Sequence, residues 1–307
     1  MANVANSNNW PMCEENFLSL SEYPRRHVQE SSSPFRYPGG KGFLSGYLSA
    51  QIDALPGGEK LYAEPFCGGA GAAVNLLEEG KVAAIHLNDA DVRVYSAWRG
   101  MVQETERFLD RVASARVDME EWHAARDLLE ATPPAGDYSF EVGYATYFIN
   151  RTSRSGIVLG SGPIGGYKQT GRWKIDARFY RESMSRRIGW IGQNRDRIHL
   201  TNEDALVFLA RASDRMPLER TLLFVDPPYV EAGSRLYLNA MSESKHSALA
   251  DMLQSGRYTH WILTYDNHPL IHRLYRDFRR RSIHVNYSLR TTRKAREILI
   301  QAAGAGS

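Results

Sequence analysis

The tetrapeptide Asp226-Pro227-Pro228-Tyr229 closes the apolar run TLLFV and carries the most concentrated chemistry in the sequence. Two consecutive prolines cannot extend a strand ladder and fix φ near about −65°, so they form a stiff corner. That corner would aim the Asp226 carboxylate and the Pro227 carbonyl beyond a strand tip. Both groups are hydrogen-bond acceptors suited to an N–H donor, and Tyr229 adds a flat face beside them. An ordinary strand-ending turn could use the same residues, so the tetrapeptide gains meaning only from its partners.

A second cluster is Glu64-Pro65-Phe66-Cys67-Gly68-Gly69-Ala70-Gly71, after the strand-like LYA and before the helix-like AAVNLLEE. Glycines in such a turn let backbone approach a ligand closely and open a helix whose N-terminus favours polar or anionic groups. The spacing departs from the G-x-G-x-x-G dinucleotide fingerprint. The next apolar run ends in Asn88-Asp89, which puts an acid where ribose hydroxyls are commonly held. The pair of features predicts a nucleoside-containing ligand. A third cluster, Arg36-Tyr37-Pro38-Gly39-Gly40-Lys41, combines an aromatic, a flexible glycine pair and a cation. It is not a Walker loop, because Gly42 follows Lys41.

These clusters need strands to present them. From residue 60 the pattern runs LYAEPF, AAVNLLEE, VAAIHLND, VRVYSAWRGMV, which is β-α-β-α. Alternation resumes near residue 197 with RIHLTNED, ALVFLARA, TLLFVDPPY, SESKHSALADMLQSG, HWILTYDN, HPLIHRLYRDF, SIHVNYS and EILIQAA. Parallel strands joined by crossover helices follow, with ligands outside their carboxyl ends. Between the two regions, MEEWHAARDLLEA and SFEVGYATYFINR look helical, and the glycine-rich RSGIVLGSGPIGGYKQTG looks like a loop or hairpin. The expected organisation is a polar tail over 1–33, a first catalytic part over 34–98, an inserted unit over 99–195 and a second catalytic part over 196–307.

With 307 residues, 43% hydrophobic and 24% charged, the chain matches an ordinary globular protein and excludes fibrous or wholly disordered classes. No apolar run approaches the roughly 18 residues of a membrane helix, and the Asn-rich start lacks a signal pattern, so a cytoplasmic protein without membrane association is expected. Cys13 and Cys67 are too few for a disulfide framework or a tetrahedral zinc site, so no metal is expected. Charge is unevenly spread: residues 1–150 hold 12 Lys/Arg against 21 Asp/Glu, and residues 151–307 hold 26 against 14, giving −9 and +12. The basic half suits a polyanion. Its densest stretches are 168–197, with nine Lys/Arg against three acids, and 273–296, with nine against one. The latter could equally be an arginine-rich amphipathic helix on a solvated face.

The ordered set RYPGGK, EPFCGGAG, LND and FVDPPY resembles the Dam-like, alpha-group adenine-N6 DNA methyltransferases, from Phe35 to about Gln301. Phe148-Ile149-Asn150-Arg151 and Thr292-Arg293-Lys294-Ala295-Arg296-Glu297 extend the likeness. The resemblance implies an α/β, Rossmann-like seven-stranded mixed sheet with its last strand antiparallel, interrupted by a mainly helical target-recognition unit. It implies S-adenosyl-L-methionine as methyl donor, held by Tyr37, Lys41, Glu64, Phe66, Cys67, Gly68, Gly69 and Gly71, with Asp89 on its ribose and Asp204 near its adenine. Asp226, Pro227, Pro228 and Tyr229 would act on an adenine flipped out of double-stranded DNA. Asn150, Arg151, Arg154, Ser155, Lys168 and Arg172 would contact that DNA, and a monomer is the usual state.

The chain departs from the resemblance in the inserted unit. Where the best-known relatives carry an aromatic-Asn-Gly element that enters DNA, this sequence has Arg154-Ser155-Gly156, and the later stretch reads Gly165-Gly166-Tyr167-Lys168. Arg154 would stand in for the missing wedge, and recognition of GATC is not implied. RNA-base methylation, cytosine-N4 methylation and a catalytically silent DNA-binding relative are the alternatives. The 160 positions between Phe66 and Asp226 leave room for a recognition unit and favour a DNA substrate, and an Asp rather than a Ser before the two prolines favours adenine.

Overall fold

The computed structural model describes residues 17–23, 33–36, 40–156, 158–230, 241–288 and 292–302, with backbone alone described for 286–288 and 292–295. Tyr37 lies outside these residues, as do 1–16 and 24–32 of the expected 1–33 tail.

Seven strands form one sheet in the order β3-β2-β1-β4-β5-β7-β6. They are β1 Leu61–Glu64, β2 Ala84–Asn88, β3 Ile198–Thr201, β4 Thr221–Val225, β5 Trp261–Asp266, β6 Arg279–Ser288 and β7 Thr292–Gln301. The pairings β2–β3, β1–β2, β1–β4 and β4–β5 are parallel, whereas β7 runs antiparallel to both β5 and β6. The sheet is therefore the expected Rossmann-like mixed sheet with its last strand reversed. Strand β4 is buried at every position, which suits the unbroken apolar run TLLFV in a sheet covered on both faces. The strand order reverses between β1 and β4, and a crevice at their carboxyl ends is the usual ligand site of an open α/β sheet.

The helices are α1 Ser45–Asp53, α2 Gly71–Glu78, α3 Val92–Gln103, α4 Thr105–Ala113, α5 Met119–Ala131, α6 Phe140–Thr152, α7 Arg181–Gln193, α8 Ala205–Ala210, α9 Ala212–Arg215, α10 Glu243–Gln254 and α11 Pro269–Leu274. Their starts obey capping chemistry: Asp91, Asp118, Ser139 and Ser242 each accept a backbone N–H in the first turn of α3, α5, α6 and α10.

Two cores cover the two faces of the sheet. One joins Tyr62, Leu76 and Ile85 to Trp98, Phe108, Trp122, Tyr147, Phe148 and Ile188, so α4 to α7 share a core with the sheet. The other joins Leu223, Val225 and Leu263 to Phe208, Leu249, Leu253 and Ile271. The border expected at 98/99 falls inside α3, whose buried face includes Trp98 and Met101, so one helix serves both parts. Helix α6 crosses α3 so closely that a Cβ at Gly143 would clash with the Ser96 backbone carbonyl. The described residues of 273–296 form no amphipathic helix beyond α11: 279–288 lie in β6 and 292–296 begin β7, with Ile283 and Val285 alternating toward the core at strand period.

Candidate active site

Strand β4 delivers Asp226 at its carboxyl end, where the two prolines stop the ladder. Three donors converge on the carboxylate. The hydroxyls of Thr264 on β5 and Tyr229 reach Oδ1 at 2.7 and 2.9 Å, and the Lys41 ammonium reaches Oδ2 at 2.7 Å. A carboxylate offers about four acceptor positions. Its Oδ2 side keeps room for one more N–H, and the side chain remains 26% exposed. The Lys41 ammonium also lies 5.3 Å from the centre of the Tyr229 ring.

Lys41 is itself buried, and a second carboxylate accompanies it. Glu297 Oε2 on β7, only 1% exposed, stands 3.6 Å from Lys41 Nζ. Burial works against the ammonium form, but the charges of Asp226 and then Glu297 outweigh it and raise Lys41 above the usual lysine range.

Strand β1 ends in Glu64, a buried carboxyl group that accepts the Tyr62 hydroxyl at 2.9 Å and faces the first turn of α2. Burial, with the Asp226 charge adding to it, pushes Glu64 up to about 8, although the Tyr62 bond opposes the rise. The turn from Cys67 to Gly71 is tightly built. Gly68 and Ala70 both take positive φ, 45° and 43°, and Ala70 N–H closes onto the Cys67 carbonyl at 2.6 Å. The Gly68 carbonyl accepts the Trp98 indole at 2.8 Å, and the Gly69 carbonyl accepts Ser33 Oγ at 2.5 Å. Cys67 is buried and its thiol pushed well above its ordinary value by that burial, which suits packing rather than nucleophilic chemistry.

Asp89 follows β2 and is half-buried. Its Oδ2 accepts Gly68 N–H at 3.0 Å and its Oδ1 accepts Asp91 N–H at 3.0 Å, locking the tip of β2 to the glycine turn. Burial, then the neighbouring Asp91 charge, pushes Asp89 up to about 7. Asn88 is fully buried and holds the same corner through Pro65, Glu203 and Thr201. Asp204 sits farther out, capping α8 through Leu206 N–H and pairing with Lys245 at 2.9 Å.

Glu64, Phe66, Cys67, Gly68, Gly69, Gly71, Asp89 and Asp226 to Tyr229 thus lie at or just beyond the carboxyl ends of β1, β2 and β4, and Lys41 lies on the segment before α1. Thr264 and Glu297 were not legible as members. Thr264 is one residue inside an unremarkable apolar strand, and Glu297 ends a basic run with nothing in its spacing to mark burial.

The DNA-contact candidates divide. Asn150 is fully buried: it accepts Arg36 N–H at 2.9 Å and donates to the carbonyls of Arg36 at 2.7 Å and Gly156 at 2.6 Å. Arg151 is buried against the Arg178 carbonyl at 2.7 Å. Both hold backbone in place, and burial takes their side chains away from the surface. Arg154, Lys168 and Arg172 are exposed and Ser155 half-buried. The same loop exposes large aromatics that spacing did not single out: Tyr167 at 61%, Trp173 at 65% with the Arg172 guanidinium over its ring, and nearby Tyr180.

A Rossmann-like sheet with an acidic diproline corner and a glycine turn at one strand-end crevice defines an α/β enzyme of the methyltransferase class. The family model for D12 class N6 adenine-specific DNA methyltransferases matches residues 37–291, and the chain belongs to that family. No curated protein matches the sequence. Two solved structures of the rRNA methyltransferase aviRa from Streptomyces viridochromogenes are similar at 14% identity over 88% of both chains, with a TM-score of 0.40. Among the described residues no helix is long and apolar enough to cross a membrane, and no cluster of His, Cys, Asp and Glu could hold a metal ion.

Proposed function

We propose that the protein methylates the N6 amine of adenine in double-stranded DNA, using S-adenosyl-L-methionine and a target base turned out of the helix. The observation that carries this reading is the Asp226 carboxylate, held by Thr264, Tyr229 and Lys41 with acceptor capacity left on its open side.

The donor set fits S-adenosyl-L-methionine. A half-buried acid, Asp89, suits ribose hydroxyls, and the strained Gly68–Ala70 backbone leaves little side chain between ligand and turn. Phe66 supplies apolar surface at the same end of the sheet. When bound, the cofactor would supply an electrophilic methyl group on a sulfonium. Asp204 caps α8 through Oδ1 and pairs with Lys245 through Oδ2, so a contact with the cofactor's adenine would have to share or replace the exposed Lys245 bond.

An adenine amino nitrogen is a weak nucleophile because its lone pair is delocalised into the ring. Asp226 and the Pro227 carbonyl accept its two N–H bonds, favour tetrahedral nitrogen and stabilise positive charge as it develops. Charged acceptors act strongly in a site that excludes water. Tyr229 offers a face for the extruded base, a contact worth about 1 to 3 kcal/mol, and unstacking costs a similar amount. Phosphate contacts from Arg154, Lys168 and Arg172 tip the balance toward binding. The protein is read as a monomer in the cytoplasm.

Incubation with labelled S-adenosyl-L-methionine and mixed-sequence duplex DNA tests the reading. N6-methyladenine in the duplex is expected. Label in RNA, in protein or at cytosine N4 would overturn it, and tight duplex binding without cofactor binding would mark a silent relative.

A further inference from the structure

One group in the site has two anionic partners, and the chemistry just described can tolerate only one of them. Lys41 donates to Asp226 Oδ2 at 2.7 Å, the oxygen with room for an incoming amine. Its ammonium therefore sits beside the place where positive charge would build on the target nitrogen. Like charges sharing one carboxylate repel, and the repulsion is strong where water is scarce. Glu297 stands on the other side of the ammonium, 3.6 Å away and 1% exposed, and it reaches no reacting group. A carboxylate buried at such a place is costly unless it is paired.

We infer that Glu297 is a positioning residue that draws the Lys41 ammonium away from Asp226 as the target amine docks, freeing the Oδ2 acceptor and removing a like charge from the reaction centre. The shift needed is small, because the ammonium already lies between the two carboxylates. Exchanging one carboxylate for the other keeps the buried charge compensated throughout. The inference rests on the adenine-methylation reading. Among the described residues, the charged or titratable groups around Lys41 include Asp226 and Tyr229 from the diproline corner, Glu64 from β1, and Glu297 from β7, whose cross-strand partner is Asp266 on β5.

Without Glu297, Lys41 loses the carboxylate that competes with Asp226 for its charge, and transfer is held back until the lysine loses its proton. Glu297→Gln keeps the shape of the side chain and removes its charge. Its single-turnover methylation at neutral pH should fall at least about tenfold, while the Kd for S-adenosyl-L-methionine and for duplex stays within about twofold. Its deficit should narrow steadily as pH rises into the lysine range, whereas the unmodified enzyme shows no such recovery. Glu297→Asp, which retains the charge, should recover most of the rate without the alkaline recovery, and it serves as the test should the Gln variant fold poorly. Full activity of Glu297→Gln at neutral pH, or deficits in both variants that are constant across pH, would overturn the inference. All rates are ratios to the unmodified enzyme on one duplex, so absent N6-methyladenine in the unmodified enzyme would instead sink the adenine reading itself.

Discussion

Lys41 and Asp226 lie 185 positions apart in the chain, yet the ammonium of one and the carboxylate of the other meet at 2.7 Å. The contact ties the RYPGGK segment to the diproline corner through buried charge. Asp226 is thereby held in one orientation by Lys41, Thr264 and Tyr229 together.

Asp226→Asn should keep the corner's shape and lose the charged acceptor. Methyl transfer is expected to drop about 100- to 1,000-fold, the scale seen when one preorganised electrostatic contact to a transition state is removed. Calorimetric binding of S-adenosyl-L-methionine should persist, with Glu297 still compensating Lys41. Turnover at the original rate would remove Asp226 from the chemistry.

Asp89→Ala removes the acceptor of Gly68 N–H and Asp91 N–H together with the proposed ribose contact. Hydrogen bonds to a charged group are worth about 1.5 to 3 kcal/mol, so cofactor Kd should rise about 10- to 100-fold. An unaltered Kd by isothermal titration would exclude the ribose contact.

Glu64 gives the protein a pH-dependent stability. Its carboxyl group is raised to about 8 when folded, against an ordinary value near 4.5, so the folded state holds a proton that the unfolded chain has released. This contribution is complete below about pH 4.5 and is lost as pH climbs to 8 and beyond, as much as about 4 kcal/mol between pH 5 and 8. Asp89, raised to about 7, adds a loss of the same sign. Thermal melting of the cofactor-free protein across that window should show Glu64→Gln with a flatter decline than the parent. Parallel curves would show that the buried carboxyl group titrates normally.

Asn150 and Lys168 should behave oppositely. Asn150→Ala leaves the Arg36 and Gly156 backbone groups without their partner in a buried setting, so about 2 to 4 kcal/mol of stability should be lost, read by denaturant titration. Lys168→Ala should leave stability unchanged while reducing the slope of log affinity against log salt by about 0.9, the signature of one lost phosphate contact. A Lys168 variant with the parental slope would take that residue off the DNA.

What the sequence determined by itself was local: the alternation of apolar runs that makes the parallel sheet, the prolines that end β4 and the glycine turn that follows β1. Each follows from residues within a few positions of one another, where period and φ preference act directly. The resemblance placed Asn150 and Arg151 beside Lys168 and Arg172 as DNA contacts, and a matched motif does not say which side of a helix is covered. Tertiary packing made that division, burying α6 against α3 and the Arg36 backbone while leaving the 167–173 loop in solvent. Packing likewise enlisted Thr264 and Glu297, since β5 and β7 reach the diproline corner only once the sheet has assembled with β7 reversed. Burial and charge compensation depend on which distant strands become neighbours, and no local pattern records that.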